Sequence, residues 1–221
     1  EKELPNPIFL VGFPRSGTTL LDTIFRTNSD VEVIEEKPIL KNFLIKLEKE
    51  TKNDLNKLDN LSQRFVEEMK NFYFQEREQY QKDKKAKIVI DKLPLNIIHI
   101  AEILRFFPNA KFIFALRHPY DSVLSCFMQQ FELNPAMKNF LTIESSAHLY
   151  DLVMKLWEIY SKIFSINFHF VKYEDVVTNF EKTTQKIFKY LDLKWSEKTK
   201  NFHITAKDRI DISTPSYNQV T

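Results

Sequence analysis

Apolar residues along this chain follow two rhythms. Short, nearly unbroken apolar runs stand at 8–12 (Ile-Phe-Leu-Val-Gly), 88–91 (Ile-Val-Ile-Asp), 111–116 (Lys-Phe-Ile-Phe-Ala-Leu) and 168–171 (Phe-His-Phe-Val). Runs of this kind suit strands covered on both faces, so they predict four core strands; 31–34 is a fifth, shorter strand candidate. Between them lie segments with helical spacing. The first is 18–26, with Leu20, Leu21, Ile24 and Phe25 on its inner face. Pro38 opens a helix over 38–48, and 61–82 is a long charged helix. Helices follow at 96–106 (ended by Pro108), 119–130 (opened by Pro119) and 143–164. A last one spans 174–191, with Val176, Phe180, Ile187, Phe188 and Leu191 in register. The polar, Asn-rich stretch 49–60 reads as a surface loop, and the tail from Ser196 is less regular. Strands alternating with helices predict a three-layer α/β/α fold around a central parallel sheet. No repeat, low-complexity segment or linker interrupts it, so 1–221 reads as one domain.

Composition changes this picture in three places. The formal net charge is only +2, so nothing marks a general nucleic-acid or membrane-surface binder, and any anion site must be local. The one cysteine, Cys126, excludes an intrachain disulfide and fits a cytoplasmic setting. No stretch reaches the roughly 18 apolar residues of a membrane-spanning helix, and the first residues do not read as a signal peptide. An abrupt start and an abrupt stop at Thr221 predict a module of a longer protein.

The most informative count is glycine. A chain of this length ordinarily carries about 15; here there are two, Gly12 and Gly17, five residues apart in one loop. Glycine is needed where a backbone must approach another group closely or take positive φ. The loop Gly12-Phe-Pro-Arg-Ser-Gly17-Thr-Thr follows a buried strand and opens a helix. In that context its amides and the helix N-terminus converge on an anion. Arg15 adds a charge, and Ser16, Thr18 and Thr19 add hydroxyl donors. A nucleoside-triphosphatase would have Lys where Thr18 stands, so the triphosphate clamp is missing. Asp91 could stand for the magnesium-holding acid of a P-loop kinase, which leaves a kinase as a second reading. Lys92 beside it argues against a metal, and no His/Cys cluster has metal-ligand spacing.

Together, Pro14-Arg-Ser-Gly-Thr-Thr19, Asp91-Lys-Leu-Pro94 and Arg117-His-Pro-Tyr-Asp-Ser-Val-Leu-Ser125 resemble the sulfotransferases that use 3′-phosphoadenosine 5′-phosphosulfate (PAPS). The nearest resemblance is to bacterial domains attached to tetratricopeptide repeats, themselves similar to tyrosylprotein sulfotransferases. It takes in Phe131 to Trp157, Tyr173-Glu-Asp-Val and Thr214-Pro-Ser-Tyr-Asn-Gln-Val220 as well, nearly the whole chain. The resemblance implies the P-loop-like sulfotransferase fold, PAPS as co-substrate, PAP as product and no metal. It implies a hydroxyl- or amine-bearing acceptor (small molecule, glycan or peptide), and a tetratricopeptide-repeat partner domain upstream. Arg15, Ser16, Gly17, Thr18 and Thr19 then grip the 5′-phosphosulfate. Arg117 and Ser125, eight residues apart, hold the 3′-phosphate. Tyr173 contacts the nucleotide or packs at a strand end, and His118 is structural.

The catalytic residues also come from the resemblance. Many small-molecule sulfotransferases use a His base in a Lys-Thr-His-Leu-Pro segment, but Asp91-Lys-Leu-Pro94 has none. The tyrosylprotein branch uses the second Glu of a pair, 21 residues after the loop Arg, which is Glu36 here. Burial and the Glu35 neighbour would both raise its pKa toward a useful value. Lys92 would stabilise the bridging oxygen and the moving sulfuryl group, and Ser216 would donate a transition-state hydrogen bond. Three departures stand out. Pro38 replaces an acceptor-touching Arg, Gln129 replaces a basic residue, and the Trp- and Arg-containing segment that closes over the nucleotide in bacterial relatives is missing after Thr221. A nucleotide-binding module without activity is therefore a third reading.

Overall fold

The computed structural model describes residues 4–52, 54–132 and 134–207. Its sheet has five parallel strands among the described residues: β1 (Ile8–Gly12), β2 (Val31–Glu35), β3 (Ile88–Lys92), β4 (Lys111–Leu116) and β5 (Asn167–Lys172). They lie in the order β2-β3-β1-β4-β5. Alternate residues of each strand feed two cores, as the pleat requires. Phe9 and Val11 of β1, Val89 of β3, and Phe112 and Phe114 of β4 enter one core. Leu10, Ile90, Ile113 and Ala115 enter the other.

The first core is covered by α2 (Ile39–Thr51), α3 (Gln63–Tyr80), α4 (Ile100–Phe106), α5 (Pro119–Phe127) and α6 (Ile143–Ile163). Ser62 caps α3 by accepting from Phe65 N, and Thr142 caps α6 by accepting from Ser145 N. Aromatic side chains dominate this core. Phe43, Tyr73, Phe74 and Phe107 meet edge to face or tilted, and Trp157 packs on Phe114, Phe168 and Phe170. The second core is covered by α1 (Thr18–Phe25), α7 (Tyr173–Thr178), α8 (Phe180–Tyr190) and α9 (Phe202–Lys207). Three layers around a parallel sheet therefore match the expected fold.

Several boundaries differ from expectation. The helix expected over 96–106 begins as a 3-10 turn at Pro94–His99, because Pro94 supplies the fixed φ of a first turn. The helix expected over 174–191 is two, broken at Asn179, whose φ of −135° is not helical. The expected loop 49–60 is mostly ordered, with α2 running on to Thr51 and a 3-10 helix at Leu55–Asn60. The helix over 119–130 stops at Phe127. The run at 168–171 is not a core strand. It lies in β5, an edge strand whose Phe170 is 41% exposed. By contrast the short candidate 31–34 lies in β2, an edge strand that is buried throughout.

The strand order decides where a ligand can sit. The connection from β1 runs through α1 on the second face toward β2, while that from β4 runs through α5 and α6 on the first face toward β5. Adjacent strands whose connections diverge leave a crevice at their carboxyl ends. The loop after β1 and the turn before α5 form its walls.

Candidate active site

Both glycines of the loop are required by close approach. A Cβ on Gly12 would stand 2.5 Å from the Ala115 carbonyl oxygen and 2.8 Å from Ser16 Oγ. One on Gly17, at φ 97°, would stand 2.9 Å from the Tyr173 ring. Gly17 is the N-cap of α1, with no side-chain cap and no acidic residue in the first turn. The positive end of that helix therefore faces the loop without an internal anion. Ser16 is buried and its hydroxyl has no hydrogen-bond partner; Thr18 and Thr19 are buried beside it.

Two guanidinium groups converge on this loop. Arg15 has φ 67°, a left-handed conformation that costs a side-chain-bearing residue about 1 kcal/mol or more. Its Nε donates to Ser125 Oγ at 2.9 Å. Arg117 donates to the Arg15 carbonyl at 3.4 Å, and its guanidinium lies over the Tyr173 ring, 4.7 Å from the centroid. Its Nε is buried without a hydrogen bond, and Asp121, at 3.9 Å, is a long ion pair. Burial pulls Arg15 below the ordinary arginine pKa; Cys126 opposes that and the like charge of Arg117 adds to it. The Cys126 thiol, pushed up to about 12 by burial, donates to the Pro14 carbonyl and is not a nucleophile. Glu174 accepts from the His118 amide at 2.8 Å, tying the start of α7 to the start of α5. His118 itself is exposed. The motifs at 12–19, 117–125 and 173–176 thus meet at one crevice, lined by orphaned donors of Arg117 and Ser16. Buried donors left unpaired at a helix N-terminus suit an oxyanion. The hydroxyl of Ser122, buried one turn from Cys126, is a further orphaned group that sequence reasoning missed.

Beside β1 stands a second cluster. Lys92 ends β3, paired in register with Leu10 of β1 and Glu35 of β2. Its side chain is fully buried, and Nζ donates to Glu36 Oε1 at 2.9 Å and to Glu35 Oε1 at 3.0 Å. Glu36 follows β2 in a left-handed conformation, φ 51°, and its amide donates to the Lys92 carbonyl. Burial alone would lower the Lys92 pKa. Glu36, Glu35, Asp22 and the hydrogen bond that Lys92 donates to Glu36 together outweigh it, and the pKa rises. The expectation that Glu36 is buried is corrected: its side chain is 32% exposed and, beside Glu35, bound to an ammonium. Asp91 does not face this cluster. It points to the first core, where its Oδ2 accepts from Tyr73 at 3.1 Å. That orientation withholds from the loop the acid a magnesium-dependent kinase needs. Ser216 lies outside the described residues, and among them no group of three His, Cys, Asp or Glu side chains is arranged to hold a metal. No helix among them is long and apolar enough to cross a membrane.

Comparison with known proteins bears on the family and the fold. The model of a family described as "Sulfotransferase family" matches residues 7–197. An uncharacterized protein of Aquifex aeolicus is 25% identical over 221 residues, and the chain spans 28% of that relative's length. Among solved structures, the sulfotransferase domain of the Synechococcus PCC 7002 olefin synthase is similar, with TM-score 0.59 and 19% identity over 99% of this chain and 84% of that one. So is a mouse sulfotransferase complexed with PAP, with TM-score 0.53 and 17% identity over 95% of this chain and 68% of that one. At those identities the structures bear on the fold alone.

Proposed function

Because the chain belongs to the sulfotransferase family, we propose that it moves a sulfuryl group from PAPS to a hydroxyl or amine acceptor and releases PAP. The observation that carries this reading is the ion pair of a fully buried Lys92 with Glu36, at the sheet's carboxyl edge beside the phosphate loop. In it, the loop amides, Arg15, Ser16, Gly17, Thr18 and Thr19 bind the 5′-phosphosulfate. Arg117 and Ser125 bind the 3′-phosphate, and the Tyr173 ring, clamped between Gly17 and Arg117, borders the nucleotide. Glu36 takes the proton of the attacking group. The bond from sulfur to the 5′-phosphate oxygen breaks as the bond to the acceptor forms, and Lys92 carries the charge growing on the leaving oxygen. Ser216 is a further donor. The Glu36–Lys92 pairing, in place of a histidine base, supports kinship with the tetratricopeptide-repeat-linked and tyrosylprotein branches. Pro38, opening α2, speaks against a peptidyl-tyrosine acceptor.

Calorimetry tests the nucleotide assignment. PAP binds without added magnesium, and Arg117→Ala weakens PAP by about 10–100-fold while leaving adenosine 5′-phosphate nearly unchanged. Magnesium-dependent ATP binding without PAP binding would sink the reading. Turnover of PAPS with a panel of phenols, alcohols and amines tests the chemistry. Glu36→Gln lowers kcat by about 100-fold or more with PAP affinity retained. Tight PAP binding with no turnover on any acceptor would favour an inactive nucleotide-binding module.

A further inference from the structure

Lys92 is held by two carboxylates, and the reaction above gives work to only one. They differ in how they are held. Glu35 is the last residue of β2, paired with Lys92 across the parallel ladder, and its side chain is 7% exposed. Glu36 sits on the turn just beyond, at the edge of solvent, with 32% of its side chain exposed. Register fixes Glu35, whereas Glu36 is free to meet an acceptor.

The difference matters once Glu36 holds a proton. A neutral carboxyl no longer offsets the ammonium, and burial drives a lone lysine toward its neutral form. A neutral Lys92 could not stabilise the leaving oxygen. The other charged groups facing it are Glu35 and, from α1, Asp22, which Arg26 also binds.

We propose that Glu35 is a positioning residue for the transfer step: its carboxylate keeps Lys92 protonated and fixed in direction after Glu36 has taken the acceptor's proton. The proton moves from the acceptor to Glu36, the sulfur–oxygen bond to the 5′-phosphate breaks as the new one forms, and Lys92 keeps its own protons throughout. The proposal rests on the roles given above to Glu36 and Lys92.

Charge on Lys92 is read by NMR of chains labelled with carbon-13 at lysine Cε, without nucleotide. Glu36→Gln mimics the protonated base at a partly exposed position. In it Lys92 is expected to remain an ammonium at neutral pH, held by Glu35. In Glu35→Gln/Glu36→Gln its titration is expected to move to clearly lower pH than in Glu36→Gln. Loss of charge in Glu36→Gln alone overturns the proposal, as does an unshifted titration in the double variant, which would assign the hold to Asp22. In turnover assays Glu35→Gln should lower kcat by about 10–100-fold with KM for PAPS unchanged; an equal change in both would make its role merely structural. The NMR arm is independent of sulfuryl transfer. A wild-type chain that neither binds PAP nor consumes PAPS overturns the proposed function and leaves the charge result standing.

Discussion

Asp91 and Lys92 are consecutive residues of β3, and both are essentially buried. They nevertheless keep opposite relations to charge. The pleat sends Asp91 into the aromatic core beneath α3 and Lys92 toward the carboxyl edge of the sheet. Burial pushes the Asp91 carboxyl up to about 7, against the Tyr73 hydrogen bond and the more distant Arg77, which pull it down. One Asp91 oxygen has no partner at all. Lys92 meets the same burial with two carboxylates within 3.0 Å and stays charged. Burial alone neutralises a group, and burial with a partner of opposite sign preserves the charge. The second kind is what the proposed sulfuryl transfer asks of Lys92.

The comparison can be broken at four points. The largest effect is expected for Lys92→Met, which strands Glu35 without its ammonium and should cost about 3–5 kcal/mol of stability, read from the denaturant midpoint at pH 7. A loss under 1 kcal/mol would mean that the cluster is not a tight ion pair.

Next is the pH response of Asp91. Its carboxyl has an ordinary value of 3.8 and a folded value of about 7, so the folded chain keeps a proton the unfolded chain gives up. The stability it contributes is full below the unfolded value and is lost as pH rises toward 7, on the order of 4 kcal/mol across that window. Asp91→Asn should flatten this slope in urea titrations at several pH values; an unchanged slope would refute the assignment.

Tyr73→Phe removes the side-chain donor to Asp91 seen among the described residues and should cost about 1–3 kcal/mol. Since that bond lowers the Asp91 pKa, its loss should carry the falling limb to higher pH. The smallest effect is expected outside both clusters. Gly17→Ala presses a Cβ on Tyr173 at positive φ, for about 1–2 kcal/mol in thermal melts, and weakens PAP binding measured by calorimetry.

Much of the fold was legible because local spacing carries it. The strand over Ile8–Gly12 and the helix from Thr18 came from one unbroken apolar run and one helical stripe. The two edges of the sheet show where such reading stops. Phe168, Phe170 and Val171 have the composition of a core strand, but among the described residues no strand lies beyond β5. Val31-Glu-Val-Ile-Glu looked marginal, yet β2 is buried to its ends. Glu32 is buried there because it accepts the amides of Lys82 and Asp83, about fifty residues away. Burial of an acid by such partners has no local signature.

The candidate site divides in the same way. Motifs adjacent in the chain were readable: the two glycines, the hydroxyls behind them, and Arg117 just before α5 with Ser125 two turns into it. Their mutual contacts were not, because the Arg15–Ser125 bond and the clamp of Tyr173 between Gly17 and Arg117 join segments far apart in the chain. Chain-local chemistry pointed to an anion-binding loop and a parallel α/β sheet, and the family resemblance supplied the candidate base. Strand order alone decided that β3 lies between β1 and β2, and so brought Lys92 level with Glu35 and within reach of Glu36. The reason is physical: backbone preference acts over a few residues, whereas the charge a buried group can keep depends on whatever the finished sheet sets beside it.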